Sequence, residues 1–81
     1  VAYSIQFKPA AFRSLTKLEK DTQTRLARKI YTLSRNPRPV GAEKLKGIAG
    51  LYRVRLSDYR ILYQIQDAAL LILIIQIGHR R

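Results

Sequence analysis

Hydrophobic positions change their spacing several times along the chain, and each change marks an element. In "AYSIQF" (2–7), Tyr3, Ile5 and Phe7 alternate with other residues, which predicts a first β-strand. "KPAAFRSLTKL" follows, with Pro9 suited to a first helical position, where its missing N–H has no intrahelical partner to lose. Phe12, Leu15 and Leu18 recur at intervals of three and predict one face of a short helix. The pattern breaks near "EKD", where Asp21 is a candidate N-cap. Leu26, Ile30 and Leu33 then fall at i, i+4 and i+7 within "TQTRLARKIYTLSRN", the core stripe of a second helix. Asn36-Pro37 ends it, because a residue before proline avoids the α region. The two helices are expected to form a short antiparallel hairpin.

"PRPVGAEKLKGIAG" (37–50), with two prolines and three glycines, reads as a connecting loop that carries Lys44 and Lys46. Beyond it the period becomes two. "LYRVRLS" and "YRILYQIQ" read as strands around a Ser57-Asp58 turn. "ALLILIIQIG" reads as the last strand, and its apolar residues on both faces suit a central position. The order β-α-α-β-β-β predicts an α+β fold: a small antiparallel sheet with an N-terminal strand and a two-helix hairpin packed on one face. A single domain over residues 1–81 is expected, since there is no repeat, no low-complexity tract and no second composition zone.

The hairpin pattern goes further than element type. With Ser57 and Asp58 at the turn, Leu56 pairs with Tyr59, Arg55 with Arg60, Val54 with Ile61, Arg53 with Leu62 and Tyr52 with Tyr63. Tyr52, Val54, Leu56, Tyr59, Ile61 and Tyr63 then form one apolar face, which the helices should cover. Arg53, Arg55, Arg60, Leu62 and Gln64 form the other. Slipping by one residue would mix the two faces, so the pattern specifies the register. Arg55 and Arg60 are left directly opposite each other, a like-charge pair that destabilises a sheet by a fraction of ~1 kcal/mol. One aspartate at the turn cannot satisfy three guanidiniums. The planar guanidinium fork matches phosphate oxygens in pairs, so the arrangement points to an anion site whose natural guest is a phosphate.

Composition supports that direction. Sixteen Lys and Arg against five acids give a net charge of +11, which favours polyanions. The apolar content, 47%, suits a folded domain, and 81 residues allow only a thin core. No cysteine is present, so neither a disulfide nor a thiolate metal site is expected, and a reducing, cytoplasmic location is compatible. "VAYSIQFKPA" lacks the apolar stretch of a secretory signal, and "ALLILIIQI" (69–77) is far short of the ~20 residues of a membrane helix. No membrane partner is expected.

The inventory for chemistry is small. His79, in the terminal "GHRR", is the only histidine and the only side chain that ordinarily titrates near neutrality. Gly78 before it would let the strand bend and bring Arg80 towards Arg60. The acids Glu19, Asp21, Glu43, Asp58 and Asp67 are scattered, without metal-ligand spacing, and there is no glycine-rich phosphate loop of known form. Clustered cations remain. They can hold RNA and stabilise a pentavalent phosphorane during attack by a 2′-hydroxyl.

"KLKGIAGLYRVRLSDYRILYQI", followed by "IIQIGHRR", resembles the RelE-type toxins of bacterial and archaeal toxin–antitoxin systems, and the similarity in element order spans nearly the whole chain. The resemblance implies a compact antiparallel sheet under a helical hairpin. It also implies cleavage of mRNA in the ribosomal A site, leaving a cyclic phosphate, with no cofactor or metal. On the matching positions it assigns charge stabilisation to Arg53 and Arg55 and transition-state stabilisation to Arg60. Arg80 becomes a candidate proton donor or phosphate clamp, while Lys44, Lys46, His79 and Arg81 are candidate RNA contacts. Family members carry lysines at the positions of Arg53 and Arg55; arginine is essentially never deprotonated, so a general-base role for Arg55 is disfavoured. Members also continue past "GHRR" to a tyrosine that stacks on the substrate base. This sequence ends at Arg81, which leaves two readings: a tail beyond it, or a compromised activity. The implied partners are the ribosome with its mRNA and a cognate RelB-like antitoxin bearing an acidic, partly disordered segment. Two alternatives stay open: a ParE-type inhibitor of DNA gyrase, which shares the fold, and a non-catalytic nucleic-acid-binding module.

Overall fold

A computed structural model describes residues 2–79. The elements are β1 (Ser4–Phe7), α1 (Pro9–Thr16), α2 (Lys20–Arg35), β2 (Glu43–Lys44), β3 (Leu51–Leu56), β4 (Tyr59–Gln66), a 3₁₀ turn (Asp67–Ala69) and β5 (Leu71–His79). The strands form one five-stranded sheet in the order β1-β5-β4-β3-β2. This is the α+β architecture expected, with two additions. β1 pairs parallel with β5, Ser4 opposite Leu71 to Phe7 opposite Ile74, so the sheet is mixed rather than wholly antiparallel. The segment expected to be only a loop contributes the two-residue β2, antiparallel to β3.

α1 begins at Pro9, as expected, but buries Ala11 and Leu15 rather than a Phe12 stripe. Phe12 is 54% exposed and meets Phe7 edge-on, with ring centroids 5.9 Å apart. The i, i+4 pair is the row facing the sheet, and alanine lets the helix approach it closely. α2 begins at Lys20, so Glu19, not Asp21, holds the N-cap position; Asp21 lies in the first turn, where its charge complements the helix dipole. The Gln23 amide donates to the Thr16 and Leu18 carbonyls, at 3.2 and 2.8 Å, and so satisfies acceptors left over where α1 ends. Leu26, Ile30 and Leu33 are buried, and α2 stops at Arg35 with Asn36 extended before Pro37.

The β3–β4 register is the one the pattern specified, from Tyr52 opposite Tyr63 through Arg55 opposite Arg60 to Leu56 opposite Tyr59. All six residues of the apolar face belong to the core or pack against it. β5 carries a bulge: Leu62 pairs with Gln76 but Tyr63 with Ile74, so Ile75 is extra. The inserted residue switches the alternation. Ile72 and Ile74 face the core before it and Ile77 after it, and Gln76 and Gly78 turn to the open face.

A polar clasp ties the 37–44 segment to the sheet. The buried Tyr63 donates its phenol hydrogen to the Pro37 carbonyl at 2.7 Å, and burial pushes its pKa up to about 12. Arg38 lies over the Tyr52 ring, donates to the Tyr52 hydroxyl at 3.1 Å and pairs with Asp67 at 2.9 Å, while Tyr3 donates to the other Asp67 oxygen at 2.6 Å. No helix among the described residues is long and apolar enough to cross a membrane.

Candidate functional site

Alternation along β3 and β4 places Arg53, Arg55 and Arg60 on the sheet face that the helices leave open. The hairpin turn that links the two strands is held from the other layer: Arg25 of α2 donates to the Ser57 hydroxyl at 2.8 Å, and Ser57 takes a left-handed φ of 52°. The arginines therefore sit on a short, pinned hairpin rather than on a loose loop.

A concavity of about 260 Å³ opens on this face. Arg53 and Arg60 line it together with Leu45, Leu62, Gln76, Gly78 and His79. Arg55 is more exposed and stands outside it. Gly78 stays in the strand, opposite Arg60; the space where a side chain would begin is open, which keeps the cavity floor clear beside the guanidinium. The Arg60 Nε is enclosed. His79 borders the cavity at the strand end while its ring lies edge-on to Tyr59, centroids 5.0 Å apart.

One carboxylate joins the arginines. Glu43 lies opposite Arg53 in the β2–β3 register, so their side chains share a face. Its Oε1 accepts from both Nη2 (2.7 Å) and Nε (3.2 Å) of Arg53. These hydrogen bonds, then the charge of Arg53 and the more distant charges of Arg55 and Arg60, hold the Glu43 carboxyl below the usual carboxylate range. Asp58, at the turn itself, makes no ion pair among the described residues.

The remaining candidates divide. Lys44 pairs with Tyr52, which points its side chain to the face away from the arginines, so it does not join them. The strand that replaced the expected loop imposes this, because alternation sends adjacent residues to opposite sides. Lys46 is exposed and, with Lys44, borders a separate shallow hollow formed by residues 44–49. Arg80 and Arg81, and with them the expected approach of Arg80 to Arg60, lie outside the described residues. Sequence reasoning missed Glu43, Leu45 and Gln76. The first two sit on a strand too short to show a period, and the third turns outward only because of the bulge.

A helical hairpin thus covers one face of the sheet, and a basic cavity opens on the other. The family model for the ParE toxin of type II toxin–antitoxin systems matches residues 5–81. The mRNA interferase toxin RelE of Escherichia coli strain K12 is 30% identical over 82 residues, covering 99% of this chain and 85% of that protein. A RelE-like toxin protein of Escherichia coli is 32% identical over 80 residues, 96% of this chain and 83% of its own length. Among solved structures, the isolated E. coli RelE toxin superposes with a TM-score of 0.87 at 28% identity, covering 99% and 86% of the two chains. The archaeal RelE–RelB complex from Pyrococcus horikoshii OT3 also gives 0.87, at 27% identity, covering 99% and 97%. The chain belongs to the RelE/ParE toxin family, as a RelE-type toxin of a type II toxin–antitoxin system.

Proposed function

We propose that this toxin is a ribosome-dependent, metal-independent endoribonuclease that cleaves mRNA in the A site and so stops translation in the cytoplasm. The observation that carries the reading is the arginine face: Arg53 and Arg60 line one cavity, with Arg55 on the same side of the sheet. Arginine forks hold a phosphodiester by paired, charge-assisted hydrogen bonds. Their fixed charge stabilises the extra negative charge of the phosphorane as the 2′-oxygen attacks, so the scheme needs no metal ion. Arg60, partly enclosed at the cavity, is assigned to that transition state. Arg53 and Arg55 neutralise the bound phosphates, and Arg80, a guanidinium that does not give up its proton, serves as phosphate clamp rather than proton donor. Lys46, His79 and Arg81 contact the RNA strand, and Lys44 reaches RNA only from the far side of the sheet. The name mRNA interferase carried by the E. coli relative supports the reaction class.

The partner is a RelB-like antitoxin, a reading supported by the RelE–RelB complexes among the similar structures. A +11 chain attracts an acidic segment by steering that salt screens. The second reading, a gyrase inhibitor, is favoured by the ParE name of the matching family model. Mapping mRNA 5′ ends on purified ribosomes decides between them. New ends in the A-site codon are expected with the wild type and not with Arg60→Ala, whose melting temperature should stay near the wild-type value. Intact mRNA together with inhibited DNA supercoiling would refute the ribonuclease assignment.

A further inference from the structure

We propose that Glu43 is the proton acceptor of the cleavage site; the inference rests on the ribonuclease reading above. Attack by a 2′-hydroxyl needs a base, and a guanidinium does not act as one because it is essentially never deprotonated. The arginine face alone can therefore bind and stabilise, but it cannot take the proton.

The structure supplies a carboxylate at that face. β2 sets Glu43 opposite Arg53, on the side of the sheet that carries Arg55 and Arg60. Leu45, two residues further along the chain, lines the cavity with Arg53 and Arg60, and Glu43 reaches this group through its hydrogen bonds to Arg53. Both Arg53 hydrogen bonds fall on Oε1, leaving Oε2 available to a hydroxyl. The other acids are placed elsewhere. Asp67 is held by Arg38 and Tyr3, Asp58 lies in the hairpin turn, and Glu19 and Asp21 belong to the start of α2. Among the described residues, the charges that act on Glu43 are those of Arg53 and Arg55 on β3 and Arg60 on β4, while Lys46 follows on its own segment and His79 lines the cavity on β5. The cations among them keep the carboxylate ionised and ready to accept. An RNA phosphate arriving at Arg53 competes for the same guanidinium and loosens Glu43 towards the adjacent ribose.

The step balances without an oxidant or reductant. The 2′-O–H bond breaks and its proton passes to the Glu43 carboxylate. The 2′-oxygen forms a bond to phosphorus, and the bond from phosphorus to the 5′-oxygen breaks. That oxygen leaves with a proton from solvent. The products are a 2′,3′-cyclic phosphate and a 5′-hydroxyl, and Glu43 returns its proton to water.

The test is single-turnover mRNA cleavage on purified ribosomes, with ribosome binding measured separately, for the wild type, Glu43→Gln and Glu43→Asp. Glu43→Gln should cleave about 100-fold more slowly or worse, in the range typical of a lost general base, while binding ribosomes as well as the wild type or more tightly. The ratio of its rate to the wild-type rate should climb about tenfold per pH unit between pH 6 and 8, as hydroxide replaces the missing base. Glu43→Asp should recover part of the rate. A Glu43→Gln rate within about threefold of wild type overturns the proposal. So does a defect confined to binding, which would make Glu43 a positioning residue for Arg53. Absence of cleavage by the wild type would instead refute the ribonuclease reading, and this inference with it.

Discussion

Replacing Arg55 by glutamate should make the protein more stable and less toxic at the same time. In the β3–β4 ladder Arg55 faces Arg60 directly, and like charges at such a position are destabilising. Arg55→Glu turns that repulsion into an attraction. Cross-strand charge pairs are worth roughly 0.2–1 kcal/mol each, so the reversal amounts to about 0.5–1.5 kcal/mol. For a domain of this size each kcal/mol moves the melting temperature by roughly 4–8 °C, which gives an expected rise of about 3–10 °C. Arg55 is exposed, so the gain should shrink in high salt, where surface charges are screened. The same substitution puts a carboxylate where a phosphate must approach. Induction of the variant should no longer arrest growth, and ribosomes should no longer retain it. Thermal unfolding at low and high salt, beside a growth assay, reads both effects. An unchanged or lower melting temperature at low salt would show that the arginine pair costs the sheet nothing. The like-charge pair would then be no sign of a phosphate site.

Gly50 takes a φ of +76°, and a Cβ there would fall on the Ile65 carbonyl oxygen, next to the 2.8 Å hydrogen bond from Ile65 N–H to the Gly50 carbonyl. Left-handed strain of about 1–2 kcal/mol plus a lost hydrogen bond of ~1 kcal/mol predicts that Gly50→Ala melts about 10–20 °C lower, as read by circular dichroism. The Arg38 hydrogen bond, and then that of Tyr3, hold the Asp67 carboxyl below its ordinary value. Its contribution to stability is therefore present above the unfolded-state pKa near 3.8 and is lost as pH falls through the lower, folded-state one. Wild type should melt higher than Asp67→Asn at pH 7, and the gap should close in acid; a gap that does not change with pH would remove the ionised clasp from the account.

The hairpin shows how much a sequence can carry alone. Two strands of period two, joined by a short turn, admit one register that segregates apolar from charged residues, and Arg55 opposite Arg60 follows without coordinates. α2 was legible for the same reason, because Leu26, Ile30 and Leu33 hold a helical period over several turns. What stayed hidden lacked a period or depended on a distant partner. β2 spans two residues, so nothing local marks Glu43 as facing Arg53 or Lys44 as facing away. The parallel pairing of β1 with β5 joins segments more than sixty residues apart, and either direction satisfies the alternation of Tyr3, Ile5 and Phe7. In "LILIIQI" nearly every position is apolar, so the pattern cannot reveal that Ile75 is inserted and that Gln76 turns to the cavity. Local periodicity therefore determined which residues form the basic hairpin. The packing of a two-residue strand and a bulged one against it decided which amide and glycine line the cavity and which carboxylate pairs with Arg53, because those placements depend on cross-strand register and not on neighbours in the chain.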